Sequence, residues 1–177
     1  EPDPFVDHLF RGGRFESFFD RQVIVPVGVF VNAPKALVAE LLEEGTIQIA
    51  QLHGQEDESY IRELKTYTDK LIIKAFSIKT TEDIEKALQS PADYILLDQG
   101  GGGTGKTFDW SLIPEIQRPF FLAGGIGTSN LGQAIREIHP YAVDLSSSLE
   151  IDGIKNAGRI CQAVEIVRME ETKDVKR

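Results

Sequence analysis

The amino-acid sequence predicts an α/β fold built on a parallel sheet. Three observations carry that prediction. Apolar runs rich in Val, Ile, Leu and Phe recur along the chain at intervals of roughly 20–25 residues, the spacing of successive βα units. Polar or glycine-containing turns follow the runs, and after most of them comes an amphipathic stretch with helical spacing. The runs are mostly continuous rather than alternating, as in strands buried on both faces.

In chain order the expected strands are Val23–Val31, Ile47–Leu52, Leu71–Phe76, Tyr94–Leu97, Phe120–Ala123 and Ala142–Leu145. The expected helices are Pro34–Glu44, Asp57–Thr66, Thr81–Gln89, Ser129–Ile138 and Ile154–Met169. Asn32 and Pro34 mark the start of the first helix, Thr80 that of the third, and Thr128 or Ser129 that of the fourth. Strands alternating with helices imply right-handed crossovers, and hence either an open doubly wound sheet or a closed barrel. The first stretch, 1–22, carries Phe5, Phe10, Phe15, Phe18 and Phe19 and shows no clean period. The charged tail, 170–177, is expected to fray.

The 177 residues suffice for one well-buried core and are too few for two ordinary domains, so 1–177 is read as a single domain. A formal net charge of −9 disfavours nucleic acid as a partner but leaves room for a small anion held by backbone amides. The single cysteine, Cys161, excludes an internal disulfide and a zinc cluster of cysteines. It fits a reducing compartment, and a cytoplasmic location is expected. Beside Ile160 and Val164, Cys161 reads as a core residue rather than a nucleophile. No signal-peptide pattern or bilayer-length apolar run occurs, so the expected partner is a small molecule, with no membrane. A monomer or a homodimer is expected.

Active sites of parallel α/β folds form where strands end. Here those ends carry Asn32, then Gln51-Leu52-His53-Gly54, Lys74-Ala75-Phe76, Leu97-Asp98-Gln99, Ala123-Gly124-Gly125 and Asp144-Leu145-Ser146-Ser147-Ser148. Asp98 closes an apolar strand; partial desolvation there suits a carboxyl to general-acid work, and a turn or N-cap aspartate is the plainer alternative. Gly100–Thr107 formally meets the spacing of a nucleotide-binding P-loop. Pro114 breaks the following segment too soon for the long helix such a loop needs, so a mobile active-site loop is the better reading. Gly124-Gly125 and Ser146–Ser148 form the strongest signal. Glycines allow close backbone approach and serines add hydroxyl donors, as in barrels whose last two loops grip a phosphate. His53 is read either as a substrate contact or as a structurally bonded loop histidine.

These strings, in this order, resemble the phosphoribosylanthranilate isomerases of tryptophan biosynthesis. The resemblance rests on Val27-Gly28-Val29-Phe30-Val31-Asn32, Gln51-Leu52-His53-Gly54, Leu96-Leu97-Asp98, Gly102-Gly103-Thr104-Gly105 with Phe108-Asp109-Trp110, Leu122-Ala123-Gly124-Gly125-Ile126 with Asn130, and Ala142–Glu150 with Lys155-Asn156. It spans roughly residues 23–168. The resemblance implies a (βα)8 TIM barrel whose N-terminal strand or strands are missing or divergent. It also implies an Amadori rearrangement of N-(5′-phosphoribosyl)anthranilate that uses no cofactor and no metal. It makes Asp98 the general acid. It makes Arg14, His53, Gly103 and Asp144 substrate contacts, and Gly124, Gly125, Ser146, Ser147 and Ser148 the phosphate site. Ser148 stands where the family has glycine.

The family's general base is a cysteine in a Lys-Ile-Cys-Gly string at the first strand, and this sequence has no such string. Glu1–Phe15 is read as a divergent second strand with Arg14 near the anthranilate carboxylate. Three accounts of the absent string stand open: residues upstream of this sequence, segments joined here that the family separates, or a truncated and inactive chain. A catalytically inactive phosphate-binding derivative is therefore the alternative function. Two related phosphate-binding barrels fit less well. Indole-glycerol-phosphate synthase needs catalytic lysines at strand ends, where only Lys74 stands, and a ribulose-phosphate epimerase needs metal-binding histidines, where His53 is alone.

Overall fold

The computed structural model describes residues 24–98 and 110–174. Backbone contacts divide the chain into two compact units that meet in sequence at Ile72 and Ile73.

The first unit contains β1 (Val27–Phe30), α1 (Lys35–Glu43), β2 (Ile49–Leu52) and α2 (Glu58–Leu64). β1 and β2 pair in parallel, Val27 opposite Ile49 and Phe30 opposite Leu52. β1 is shorter than the apolar run Val23–Val31 suggests. It starts after Pro26, which has no N–H to give a ladder; its carbonyl instead accepts from the Gln48 amide at 2.9 Å. α1 and α2 send Val38, Leu42, Ile61 and Leu64 into buried positions, the i, i+3, i+4 spacing of an amphipathic helix. Asp57 caps α2 by accepting from the Tyr60 amide at 2.8 Å. That bond, with the Ser59 hydroxyl second, holds the Asp57 carboxyl below the usual range. Asn32 is not a helix cap. It sits at φ 53°, in the left-handed region, and Pro34 is the residue that precedes α1.

β3 (Leu71–Ser77) leads into the second unit, with α3 (Thr81–Leu88), β4 (Tyr94–Asp98), a 3-10 turn at Trp110–Leu112, β5 (Phe120–Leu122), α4 (Leu131–Ile138) and β6 (Ala142–Val143). A second 3-10 turn (Ser147–Leu149), an antiparallel hairpin of β7 (Glu150–Ile151) and β8 (Ile154–Lys155), and α5 (Ala157–Asp174) complete it. β3, β4, β5 and β6 are neighbours in that order, all parallel. Ile95, Leu97, Phe120 and Leu122 pack with Ile84 and Ala87 of α3, Leu131 and Ala134 of α4 and Ala163 of α5 in one buried cluster. Thr80 begins α3 with a reciprocal capping box: its hydroxyl accepts from the Asp83 amide, and the Asp83 carboxylate accepts from the Thr80 amide at 3.0 Å.

The N-terminal edge of this sheet is held by packing rather than by chemistry. Tyr94 stacks on Tyr141 at 5.8 Å and meets the edge of Phe121, and burial pushes the Tyr141 hydroxyl up to about 12. Arg118 donates from its guanidinium to the carbonyls of Leu88, Ser90 and Ala92, at 3.1, 3.1 and 2.7 Å.

Two expectations fail in the last segment. Ile154 and Lys155 belong to a strand, so the final helix begins at Ala157. Cys161 is exposed, not a core residue. The buried face of α5 runs through Ala163, Ile166 and Val167, and Cys161 lies two positions, about 200°, from Ala163. The fourth helix also starts later than Thr128 or Ser129 suggest, with Asn130 preceding it.

Candidate active site at the strand ends of the second unit

Asp98 is the last residue of β4 and is half-buried; its carbonyl accepts from the Ile78 amide at 2.7 Å. The parallel register fixes what lies beside it. The Ala123 amide donates to the Leu97 carbonyl at 2.8 Å, and the Asp144 amide donates to the Leu122 carbonyl at 2.9 Å. Asp98, Ala123 and Asp144 therefore stand in one row across β4, β5 and β6. The loops carrying Gly124-Gly125 and Ser146–Ser148 leave from the same edge.

The loop after β5 is shaped by glycine. Gly124 and Gly125 have φ of 81° and 67°, a conformation that would strain any residue with a Cβ. Asn130 closes this loop on itself: its Oδ1 accepts from the Gly127 amide at 2.8 Å and its Nδ2 donates to the Gly125 carbonyl at 3.1 Å. Gly127 then comes against the next loop. A Cβ on it would lie 3.0 Å from the Ser148 Cβ, inside ordinary contact distance.

The loop after β6 turns sharply. Ser146 and Ser147 are exposed and Ser148 is half-buried, with its hydroxyl oxygen buried and without a hydrogen-bond partner. The extra side chain at 148, where the resemblance expects glycine, is thus turned towards the Gly127 loop. Three carbonyls of this segment accept from cations that follow in sequence. Lys155 donates to the Ser146 carbonyl at 3.0 Å, and Arg159 donates to those of Ser148 and Glu150 at 3.2 and 2.6 Å. Sequence reasoning gave neither cation a role. Asp144 is exposed at the head of this loop.

In the first unit, His53 follows β2 and is exposed, its Nδ1 at 3.2 Å from the Gln51 side-chain nitrogen Nε2. Its own backbone amide donates to the Phe30 carbonyl at 2.7 Å. Beside it lies a network that the sequence did not announce. The buried Glu56 carboxylate accepts from the amides of Asn32, at 2.6 Å, and Gly54, at 2.8 Å. Asn32 in turn accepts from the Gln55 amide at 2.7 Å. Gly54 is obligatory in this network, since a Cβ there would meet the Asn32 side chain at 2.6 Å. A cleft of about 700 Å³ on α1 and α2, lined by Lys35, Glu40, Glu43, Glu63 and Tyr67 among others, lies on the helices and not at the strand ends.

Lys74 is buried in β3, its ammonium 5.9 Å from the centre of the Phe76 ring. Arg14, Gly103 and the glycine run that formally meets the P-loop spacing lie outside the described residues. Among the described residues no group of three or more His, Cys, Asp or Glu is placed to hold a metal ion, and no helix is long and apolar enough to cross a membrane.

Known proteins match this arrangement. The model of the N-(5′-phosphoribosyl)anthranilate isomerase family matches residues 16–166. An N-(5′-phosphoribosyl)anthranilate isomerase from Endomicrobium trichonymphae is 43% identical over 159 residues, 88% of this chain and 78% of that protein. The crystal structure of phosphoribosyl anthranilate isomerase from Thermotoga maritima aligns with a TM-score of 0.71 at 34% identity, covering 82% of this chain and 73% of its own. A further isomerase structure, solved with reduced 1-(o-carboxyphenylamino)-1-deoxyribulose 5-phosphate, aligns with a TM-score of 0.68 at 32% identity, covering 82% and 72%. These likenesses identify a TIM-barrel-like α/β fold. Taken with the order of its strand-end motifs, they establish that this chain belongs to the N-(5′-phosphoribosyl)anthranilate isomerase family.

Proposed function

We propose that the protein isomerises N-(5′-phosphoribosyl)anthranilate to 1-(2-carboxyphenylamino)-1-deoxyribulose 5-phosphate, with Asp98 as general acid. The observation that carries the assignment of Asp98 is the register of β4, β5 and β6. It sets a half-buried carboxyl on the same edge as two loops rich in glycine and serine. Backbone amides of Gly124, Gly125 and Ser147 and the hydroxyl of Ser146 grip the phosphate, while the Ser148 hydroxyl, buried against the Gly127 loop, takes no part. One end of the substrate is thereby fixed while the sugar faces Asp98. The acid gives its proton to the furanose ring oxygen, the C1–O bond breaks, and the anthranilate nitrogen lone pair forms the iminium. Loss of the C2 proton then yields an enolamine, which tautomerises to the ketone. The sequence has no Lys-Ile-Cys-Gly string, and none of the described residues is assigned as the C2 base. Asp144 serves as a contact to the rest of the substrate, and the resemblance alone gives that role to Arg14, His53 and Gly103.

Asp98→Asn tests the acid. It removes the proton donor while keeping the shape, so turnover is expected to fall by roughly 10²–10⁴-fold with inorganic phosphate binding unchanged. Normal turnover in Asp98→Asn means another group supplies the proton.

A further inference from the structure

We propose that Lys155 is a positioning residue for phosphate binding, acting through Ser146 and Ser147 rather than on the phosphate itself. An ammonium has three N–H donors, and here each meets an acceptor: the Ser146 carbonyl at 3.0 Å, the Ser146 hydroxyl oxygen at 3.1 Å and the Glu150 carboxylate at 2.5 Å. Two consequences follow for the loop after β6. Across a planar trans peptide the carbonyl and the next N–H point in opposite directions, so drawing the Ser146 carbonyl to Lys155 aims the Ser147 amide away from it. The Ser146 hydroxyl, accepting from the ammonium, is left to donate its own proton elsewhere. Ser146 and Ser147 are both exposed residues, open to a ligand from solvent.

The hairpin keeps Lys155 in place. β7 and β8 pair Glu150 with Lys155, and the strands are joined by Asp152 and Gly153 at φ 52° and 75°, both positive as a tight two-residue hairpin turn requires. Glu150 therefore serves as an anchor for the ammonium rather than as a ligand contact. The partly exposed ion pair itself adds little to stability, so its removal is expected to leave the chain folded.

The inference rests on the phosphate reading above, and the experiment separates the two. The full chain, labelled with ¹⁵N, is titrated with inorganic phosphate while the Ser147 amide resonance is followed in wild type, Lys155→Met and Lys155→Arg. In wild type the resonance moves with phosphate. In Lys155→Met it is expected to start from a displaced position and to need about 10-fold more phosphate, the loss of one charge-assisted contact. Lys155→Arg, which keeps a cation on the same carbonyl, recovers most of the affinity and separates loss of the contact from loss of the fold. A Lys155→Met titration that overlays wild type overturns the proposal. A weaker titration with the free Ser147 resonance unmoved also overturns it, since the cation then acts on the phosphate directly. A wild-type Ser147 resonance indifferent to phosphate brings down the phosphate reading itself, and this inference with it.

Discussion

Gly127→Ala tests whether the two candidate phosphate loops are set by contact with each other. Gly127 is fixed from its own side: its amide donates to Asn130 Oδ1 at 2.8 Å, and its carbonyl accepts from the amides of Asn130 and Leu131 at 3.1 and 2.9 Å. A new Cβ at 3.0 Å from the Ser148 Cβ must therefore be relieved by Ser148, which has to move by a few tenths of an ångström. Overpacking of this kind costs about 1–3 kcal/mol. Replacing glycine by alanine also restricts the unfolded chain and returns about 0.4–1 kcal/mol. The net expectation is a loss of roughly 1 kcal/mol, read as a lower urea midpoint at unchanged m-value. The functional expectation is larger, because the displaced segment carries Ser146 and Ser147, and inorganic phosphate should bind roughly 10-fold more weakly. Adding Ser148→Gly removes the colliding atom and should restore both readouts. If Gly127→Ala binds phosphate like wild type, or if Ser148→Gly fails to rescue it, the loops are not in register through this contact.

Three further outcomes follow from the geometry. Glu56→Leu removes the acceptor shared by the Asn32 and Gly54 amides and should destabilise the chain by about 1–3 kcal/mol, measured by urea unfolding. Leu97→Ala opens a cavity in the buried cluster of the second unit and should cost about 2–5 kcal/mol in the same assay. Asp83 is held below its ordinary value near 3.8 chiefly by the Lys79 amide, with the Thr80 amide and hydroxyl adding to it. Its contribution to stability is thus fully present above pH 3.8 and is lost as pH falls through the lowered value in the folded chain. The stability gap between wild type and Asp83→Asn, followed by urea unfolding across an acid pH series, should be constant near neutrality and shrink below pH 3.8.

The strands were legible because a sheet buried on both faces leaves continuous apolar runs, and β2, β3, β4 and β5 lie within two residues of where those runs predict them. Their ends were less legible: Pro26 shortens β1, and β6 stops at Val143 although the apolar run reaches Leu145. The hairpin was missed for a local reason. Ile154 continues the apolar spacing of the last helix, yet the Asp152-Gly153 pair before it is a strong short-range signal for a two-residue hairpin turn. The candidate site was legible where one residue type carries the geometry, as at Gly124-Gly125 with their positive φ. It was hidden where the geometry is a long-range bond. Glu56 reads as one more acidic loop residue until its carboxylate is found buried under two amides, and Lys155 reads as a surface cation until it reaches back nine residues to Ser146.

The single thiol of the chain, Cys161, projects from α5 on the side away from Ala163. A maleimide dye would therefore attach at one position only, without first replacing any native cysteine and without entering the packed interior. Such a probe would report tumbling and self-association of this chain by fluorescence anisotropy while every group discussed for phosphate binding remained unmodified.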